Sequence, residues 1–425
     1  MSARALAALL ALSVLACAFP ARAAAPDPQT LNMDQAMALT LNANEQLQAA
    51  RLAVVVAEFD YKSSIGPILP NLSANLSHTR NSVTAAHIVT NNENSSLGFT
   101  ATVPLFAGGA NLAAVRRKRI ELRKAKVQYK LVESDTIAAL RDAYAQLLFA
   151  QEAIRLSDEV VRRREENVQL LKQKYEAGRE SKAALLEVEA ALAVSKWERE
   201  KDQNALRLAQ RRLNRVLVWP LNSEVRVEPL PPLPKPGSDP DWQKELAGHP
   251  TLVSDAYDLD IARETIAGAK AGFFPTSDLT GSWNKVGSTK WGLQDRNWQW
   301  TLGVRFPLFN GGRTLNDWRS AKTALSKLEV QKNDARDALY IAAEDSFLSW
   351  KESAAFMDVA DTTLKASESR AWLVKSQYAT GQTTYFEWRN VEEQLVSVQK
   401  QMLAARRDLI LAHARFEKAM GRGAP

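Results

Sequence analysis

Apolar and polar positions along this chain keep two different periods, and each period is used twice. Leu72, Ala74 and Leu76 alternate with Ser73, Asn75 and Ser77, and Phe99, Ala101 and Val103 alternate with Gly98, Thr100 and Thr102. Further on, Leu279, Gly281 and Trp283 alternate with Thr280, Ser282 and Asn284. Trp298, Trp300, Leu302, Val304 and Phe306 alternate with Asn297, Gln299, Thr301, Gly303 and Arg305. A period of two predicts four β-strands, each with one face in apolar and one in polar surroundings. Polar loops over residues 81–95 and 287–296 are expected to join the strands of each pair.

The other period is helical. Residues 31–65 hold no Gly or Pro, with Leu39, Leu47, Leu52, Val55 and Phe59 at helical spacing; the matching stretch 242–271 is interrupted by Gly248-His249-Pro250. Residues 111–177 and 313–380 are free of Gly and Pro over 67 and 68 positions. At a rise of 1.5 Å per residue each helix would run roughly 100 Å. Leu140, Leu147, Ile154, Val161, Val168 and Tyr175 recur every seventh residue, and so do Ala343, Trp350, Met357, Leu364, Ala371 and Tyr378. A strict heptad predicts a left-handed coiled coil against a neighbouring helix. Each long helix is expected to stop at a glycine turn, Gly178 or Gly381, and return antiparallel over 182–217 and 382–420.

The two halves are copies. Val103-Pro104-Leu105-Phe106-Ala107-Gly108-Gly109 reappears 203 residues later as Phe306-Pro307-Leu308-Phe309-Asn310-Gly311-Gly312, and Tyr175 with Gly178 reappears as Tyr378 with Gly381. So constant an offset means one structural unit used twice. Between the copies, residues 218–240 carry seven prolines and read as an extended connector. The expected division is a signal segment 1–23, a first repeat 24–217, the connector 218–240, a second repeat 241–421 and a short tail 422–425. Arg4, the apolar run 6–19 and Ala21-Arg22-Ala23 form the signal pattern of an exported protein, with cleavage near Ala24. The single cysteine, Cys17, lies inside it; its lipidation after Val14-Leu15-Ala16 stays open as an alternative. The net charge of +7 falls by two when Arg4 and Arg22 leave with the leader, a mild excess that does not imply nucleic acid.

Four strands are too few to close a barrel, and a sheet in lipid cannot leave its edges unpaired. Several exported chains would have to contribute four strands each to one shared barrel. At this point the chain resembles the TolC family of trimeric outer-membrane channel-tunnels, over nearly all of residues 31–421. The likeness rests on the duplication, the two Pro-Leu-Phe-x-Gly-Gly strand-to-helix junctions at Pro104 to Gly108 and Pro307 to Gly311, the two Tyr-x-x-Gly turns and the helix lengths. It implies a mainly α fold with a membrane β-barrel: four strands and long antiparallel coiled-coil helices per chain. Three chains would share a 12-stranded barrel and an α-helical periplasmic tunnel. The implied role is a passive duct from periplasm to exterior in a tripartite efflux or type I secretion system. Its implied partners are two further copies in a homotrimer, a periplasmic adaptor (membrane fusion) protein, an inner-membrane pump of the RND, MFS or ABC type, and outer-membrane lipid. The alternative is a structural periplasmic or surface coiled-coil protein without transport activity, which would not need four alternating strands.

The resemblance also implies site roles. Carboxylates six and nine residues after the second turn glycine narrow the pore in the family, and a tyrosine three before it helps latch the closed state. Those positions are Glu387, Asn390 and Tyr378; Asn390 departs from the acid, and Thr383 stands where a latching arginine is expected. The tips at Gly178 and Gly381 would meet the adaptor. From the residues themselves, Trp298 and Trp300 are candidates for a membrane-interface girdle, with a core position as the plainer reading. Arg116, Arg117, Lys118, Arg119, Arg123, Lys124, Lys126 and Lys130 form a basic run with one acid, Glu121. It reads as a solvated helix face or, more sharply, as a positive band in the duct favouring anionic cargo. His78, His87, His249 and His413 show no metal-ligand spacing, and the glycine pairs lie in no phosphate-binding pattern. No cofactor, metal, nucleic-acid partner or catalytic activity is expected.

Overall fold

The computed structural model describes residues 30–85, 88–287 and 295–422; the signal segment, Cys17 and His87 lie outside them. In chain order the elements are β1 (Thr30–Leu31), α1 (Met33–Ala43), α2 (Glu45–Ser64), β2 (Asn71–Ala85), β3 (Ile88–Ala107), α3 (Ala110–Glu176), α4 (Lys182–Leu217), β4 (Arg226–Val227), α5 (Trp242–Glu245), α6 (Pro250–Ala271), β5 (Thr276–Gly287), β6 (Asp295–Arg305), α7 (Arg313–Thr380) and α8 (Tyr385–Ala419). The chain is thus mainly helical, with α3 and α7 uninterrupted over 67 and 68 residues.

β2, β3, β5 and β6 form one antiparallel sheet in that order, and the β3–β5 pair joins the two copies. Register places the apolar positions in rows across all four strands: Ala74, Phe99, Trp283 and Trp298 share one row, with Leu72, Ala101, Gly281 and Trp300 in the next. The intervening row is polar, Ser73, Thr100, Ser282 and Gln299. Among the described residues no helix covers the apolar face, and Trp298 and Trp300 are 71% and 66% exposed within the chain. Pro104 has no N–H to give the ladder. The register slips there, so that Pro104 faces Asp278 and Phe106 faces Ser277.

Several details differ from the sequence-based expectation. The hairpin loop expected over 81–95 is largely strand, because β2 pairs with β3 out to Ala85 opposite Ile88. Of the second expected loop, Gly287, Asp295 and Arg296 are strand and 288–294 lie outside the described residues. The helix expected over 31–65 is two helices. Asn44 takes an extended conformation, and its side chain accepts from the N–H groups of Gln46 and Leu47. That caps α2 as a glycine-proline break would. The proline-rich connector carries a short strand: β4 pairs parallel with β1, and Tyr144 donates its hydroxyl between the carbonyls of Glu228 (2.8 Å) and Leu31 (3.0 Å). Burial pushes that phenol up to about 12.

Along α7 the heptad positions Ala343, Trp350, Ala371 and Tyr378 are buried, while Met357 and Leu364 between them are half-buried. Along α3 the heptad holds at Leu140 and Leu147; beyond them the most buried seam is Ser157, Val160, Arg164, Asn167 and Leu171. A straight helix drifts against a seven-residue repeat, which carries Val161 and Val168 to the flank. Two compact units divide the chain, one holding residues up to Leu47 with Glu133–Asp239 and everything from Asp345, the other Gln48–Val132 with Pro240–Glu344. Each unit draws on both copies.

Candidate functional site

The ends of α3 and α7 are built alike. Gly178 and Gly381 have φ of +71° and +79°, a left-handed conformation that glycine adopts without strain. The N–H of Gly178 donates to Tyr175 O and that of Arg179 to Lys174 O; Gly381 and Gln382 repeat the pattern on Tyr378 O and Gln377 O. These paired bonds satisfy carbonyls left over at a helix end. The return helices are capped in parallel: Ser181 Oγ accepts from Ala184 N–H (3.1 Å) and Thr384 Oγ1 from Glu387 N–H (3.2 Å). Glu387 therefore sits in the first turn of α8 as Ala184 does in α4, where a carboxylate is favoured by the helix dipole.

Between the turns the four helix ends close on a cluster of Leu171, Ala184, Val188, Ala371, Val374, Tyr378, Trp388, Val391 and Leu395. Tyr378 is 2% exposed, and its ring stacks on Trp388 at 4.6 Å and 6°. Lys174 Nζ stands 3.7 Å from the centre of the Tyr378 ring and donates to its carbonyl at 2.8 Å. The Tyr378 hydroxyl donates to Glu180 Oε1 at 2.7 Å. Burial, then the bond to the Glu180 carboxylate, hold the phenol far above its ordinary 10. One residue of the second turn is thus tied from both sides by the first. The cation beside Tyr378 comes from Lys174, while Thr383 supplies none.

The other two expected positions face outward from this cluster. Glu387 is half-exposed and pairs with Arg370 at 2.8 Å. Asn390 accepts a long bond from Arg389 (3.5 Å), and Arg389 pairs with Glu187 at 2.9 Å. So Tyr378 is held inside the chain, whereas Glu387 and Asn390 remain at its surface. Sequence reasoning missed Trp388, Lys174, Glu180 and Arg370. Trp388 follows Tyr385 and Phe386 in the first turn after the Thr384 cap, and no sequence signal separates it from the exposed Phe386; the other three are polar residues whose role depends on tertiary neighbours.

The two junctions lie in the other unit. Gly108 and Gly311 have φ of +62° and +66°, and the glycine after each is also positive. A Cβ at Gly108 would strike the Ala271 carbonyl, while Gly311 meets nothing within 4 Å. Pro104 marks the bulge of β3, and Pro307 lies in the irregular segment after β6.

The family model described as outer membrane efflux protein matches residues 36–217 and 242–422. The chain belongs to that family. It is a family of transport channels rather than of enzymes, so the scaffold alternative is not favoured. Among curated relatives, the alkaline protease secretion protein AprF of Pseudomonas aeruginosa is 23% identical over 301 residues; the match covers 68% of this chain and 62% of AprF, less than two thirds of its length. The proteases secretion protein PrtF of Dickeya chrysanthemi is 23% identical, covering 89% of this chain and 87% of PrtF. The crystal structure of the outer-membrane protein VceC from Vibrio cholerae superposes with a TM-score of 0.80 at 18% identity, covering 92% of this chain and 96% of that one. The fold is therefore that of the outer-membrane efflux channels, and the outer membrane is where a chain of this family resides.

Proposed function

We propose that this chain is the outer-membrane duct of a tripartite efflux or type I secretion system, working as a homotrimer. It would carry solutes passively from the periplasm to the exterior. The observation that carries this reading is the sheet: four strands whose apolar face is uncovered and whose two edges are unpaired among the described residues, leading through Gly-Gly junctions into 67- and 68-residue helices. An uncovered apolar face fits hydrocarbon, and the row of Trp298 and Trp300 fits its boundary with water. A periplasmic adaptor would meet the tips at Gly178 and Gly381, with an inner-membrane pump beyond it. Secretion of proteases is in the names of two relatives, which favours an ABC-type exporter as the pump without fixing the cargo.

In the gating part of this reading, Tyr378 is the latch that joins the two turns, and Glu387 is the carboxylate that three chains bring around the pore. Asn390 leaves the second ring uncharged. The test is single-channel conductance of the purified trimer in planar bilayers, wild type against Glu387→Ala. Conductance from wild type, with a larger open probability and a weaker block by divalent cations in the variant, is the expected result. A silent wild-type trimer would refute the duct, and an unchanged variant would refute only the role of Glu387.

A further inference from the structure

The basic run resolves into lanes on α3. Arg117, Lys118 and Lys124 lie on its flanks, and each has a carboxylate: Arg117 reaches Glu121 (3.5 Å), Lys118 reaches Asp60 and Glu121 (3.0 and 2.9 Å), and Lys124 reaches Asp258 (2.6 Å). The remaining five, Arg116, Arg119, Arg123, Lys126 and Lys130, are exposed, and among the described residues none has an ion-pair partner. Their spacing is three, four, three and four residues, so they form one straight stripe on a single helix face. Glu58 on α2 lies within electrostatic reach of Lys126 but is already held by Lys62 at 2.8 Å.

A merely solvated face does not need this pattern. Like charges three and four residues apart destabilise a helix by about 0.2–0.5 kcal/mol per pair, and here every neighbouring pair in the stripe repels. Elsewhere on α3 the surface uses mixed signs, as in Arg162 with Glu166. The equivalent positions of the second copy are Arg319, Lys322, Ser326, Glu329 and Asn333, which do not form such a stripe. Membrane headgroups do not account for its length. The stripe begins six residues into α3, beside the exposed apolar belt of Leu105, Phe106 and Leu112, and then runs about 21 Å along the helix. Only its first residue or two could reach a lipid phosphate. A ladder of cations parallel to a helix in a channel wall fits an anion that moves along that wall.

Building on the duct reading above, we infer that Arg116, Arg119, Arg123, Lys126 and Lys130 form an anion-conducting stripe lining the duct, making it selective for solutes bearing carboxylate, phosphate or sulfate groups. Three copies would line one lumen, and a cleft of one sign raises the local concentration of counter-ions. The experiment is the reversal potential of single channels in a potassium chloride gradient at low ionic strength, where charges are least screened. The ring of Glu387 is common to both proteins, so the stripe is read from the difference between them: the five-fold Gln variant (R116Q, R119Q, R123Q, K126Q, K130Q) should lower the chloride-to-potassium permeability ratio about tenfold below that of wild type. Since Cys17 is the chain's one cysteine, Arg123→Cys provides a second reading that does not depend on the five-fold variant folding. A negatively charged methanethiosulfonate reagent added to the bath should lower anion selectivity further, and a positively charged one should restore it. A conducting wild type whose selectivity is unmoved by both variants, with lipid or glycan binding lost instead, would place the stripe on the outer surface and overturn the inference while leaving the duct intact. A wild type with no conductance would overturn the duct itself.

Discussion

At the scale of single residues, Tyr378 and His249 show how a few polar atoms fix this chain. Tyr378 combines a stack on Trp388, a cation on its face and a hydroxyl bond to Glu180. Tyr378→Phe keeps the stack and loses the bond, which should cost about 1–2 kcal/mol. Tyr378→Ala should cost about 3–5 kcal/mol, because a cavity replaces the ring. Amide exchange at the Gly178 and Gly381 turns, followed for both variants, checks this; equal protection in the two would mean that the hydroxyl, not the ring, holds the turns. His249 is a second kind of case. It is buried, and its Nδ1 accepts from Thr251 N–H at 3.2 Å as the cap of α6. The ring must then be neutral, and burial lowers its pKa below the ordinary 6.5. The unfolded chain takes up the proton first. The cap's contribution, about 1 kcal/mol, is therefore complete above pH 6.5 and is lost as pH falls from there through the depressed folded value. His249→Asn keeps an acceptor that does not titrate, so protection of the first α6 amides at pH 5 relative to pH 8 should fall in wild type and stay level in the variant. His413, also depressed by burial first, titrates in both proteins and cancels from the comparison.

At the scale of elements, the same motif does unequal work in the two copies. Gly108 and Gly311 share a positive φ, so alanine at either costs about 1–2 kcal/mol in backbone strain. At Gly108 the new methyl would also meet the Ala271 carbonyl and the Phe274 Cβ, and backbone cannot yield as a side chain can. Gly108→Ala should lower the melting temperature of the solubilised protein clearly more than Gly311→Ala; equal shifts would mean that α6 can move away from the junction. This inequality was not legible in the sequence, where both sites read Pro-Leu-Phe-x-Gly-Gly. What was legible is what repeats by period. The long helices, α4 and the four strands follow from positions 2, 3.6 and 7 apart, and their ends follow from Gly178, Gly381 and the junction glycines. The outer part of the hairpin was lost because period two reports a difference between faces. Beyond the Leu76–Leu97 pair both strands are polar from Ser77 opposite Ser96 to Ser82 opposite Asn91, so the ladder continues through Arg80 opposite Glu93 without a hydrophobic signature. The break at Asn44 has no glycine or proline to mark it, since its side chain does what Gly-His-Pro does in the second copy. The candidate gate was legible only by resemblance: Tyr378, Glu387 and Asn390 carry no pattern of their own, and Lys174 and Glu180 reach Tyr378 across about two hundred positions of chain.

At the scale of the whole molecule, the sheet determines what the chain must do next. β2 and β6 each have one side without a partner among the described residues. Open edges in hydrocarbon leave backbone donors and acceptors unsatisfied at several kcal/mol each, and four strands are too few to curl back on themselves. Pairing β2 of one chain with β6 of the next would satisfy both edges, and in the proposed homotrimer that pairing would close the ring. Register within the chain already says which residues can meet. Ser73 on β2 and Gln299 on β6 belong to one polar row, Ala74 and Trp298 to the apolar row beside it. Because side chains alternate strictly between faces, a cysteine at Ser73 can approach within bridging distance only of the odd-numbered β6 positions of its neighbour, Asn297, Gln299, Thr301 or Gly303. With Cys17 the only natural cysteine, paired variants of Ser73→Cys with each β6 position from 297 to 303 can be oxidised in outer-membrane vesicles and separated under non-reducing conditions. Covalent dimers and trimers, and nothing larger, should form at one or two odd positions and at none of the even ones. Cross-links at even positions would mean that the strand faces are inverted between chains. A ladder running past three would mean that more than three chains share the barrel, and the absence of any product would mean that these edges are covered by something other than a second copy.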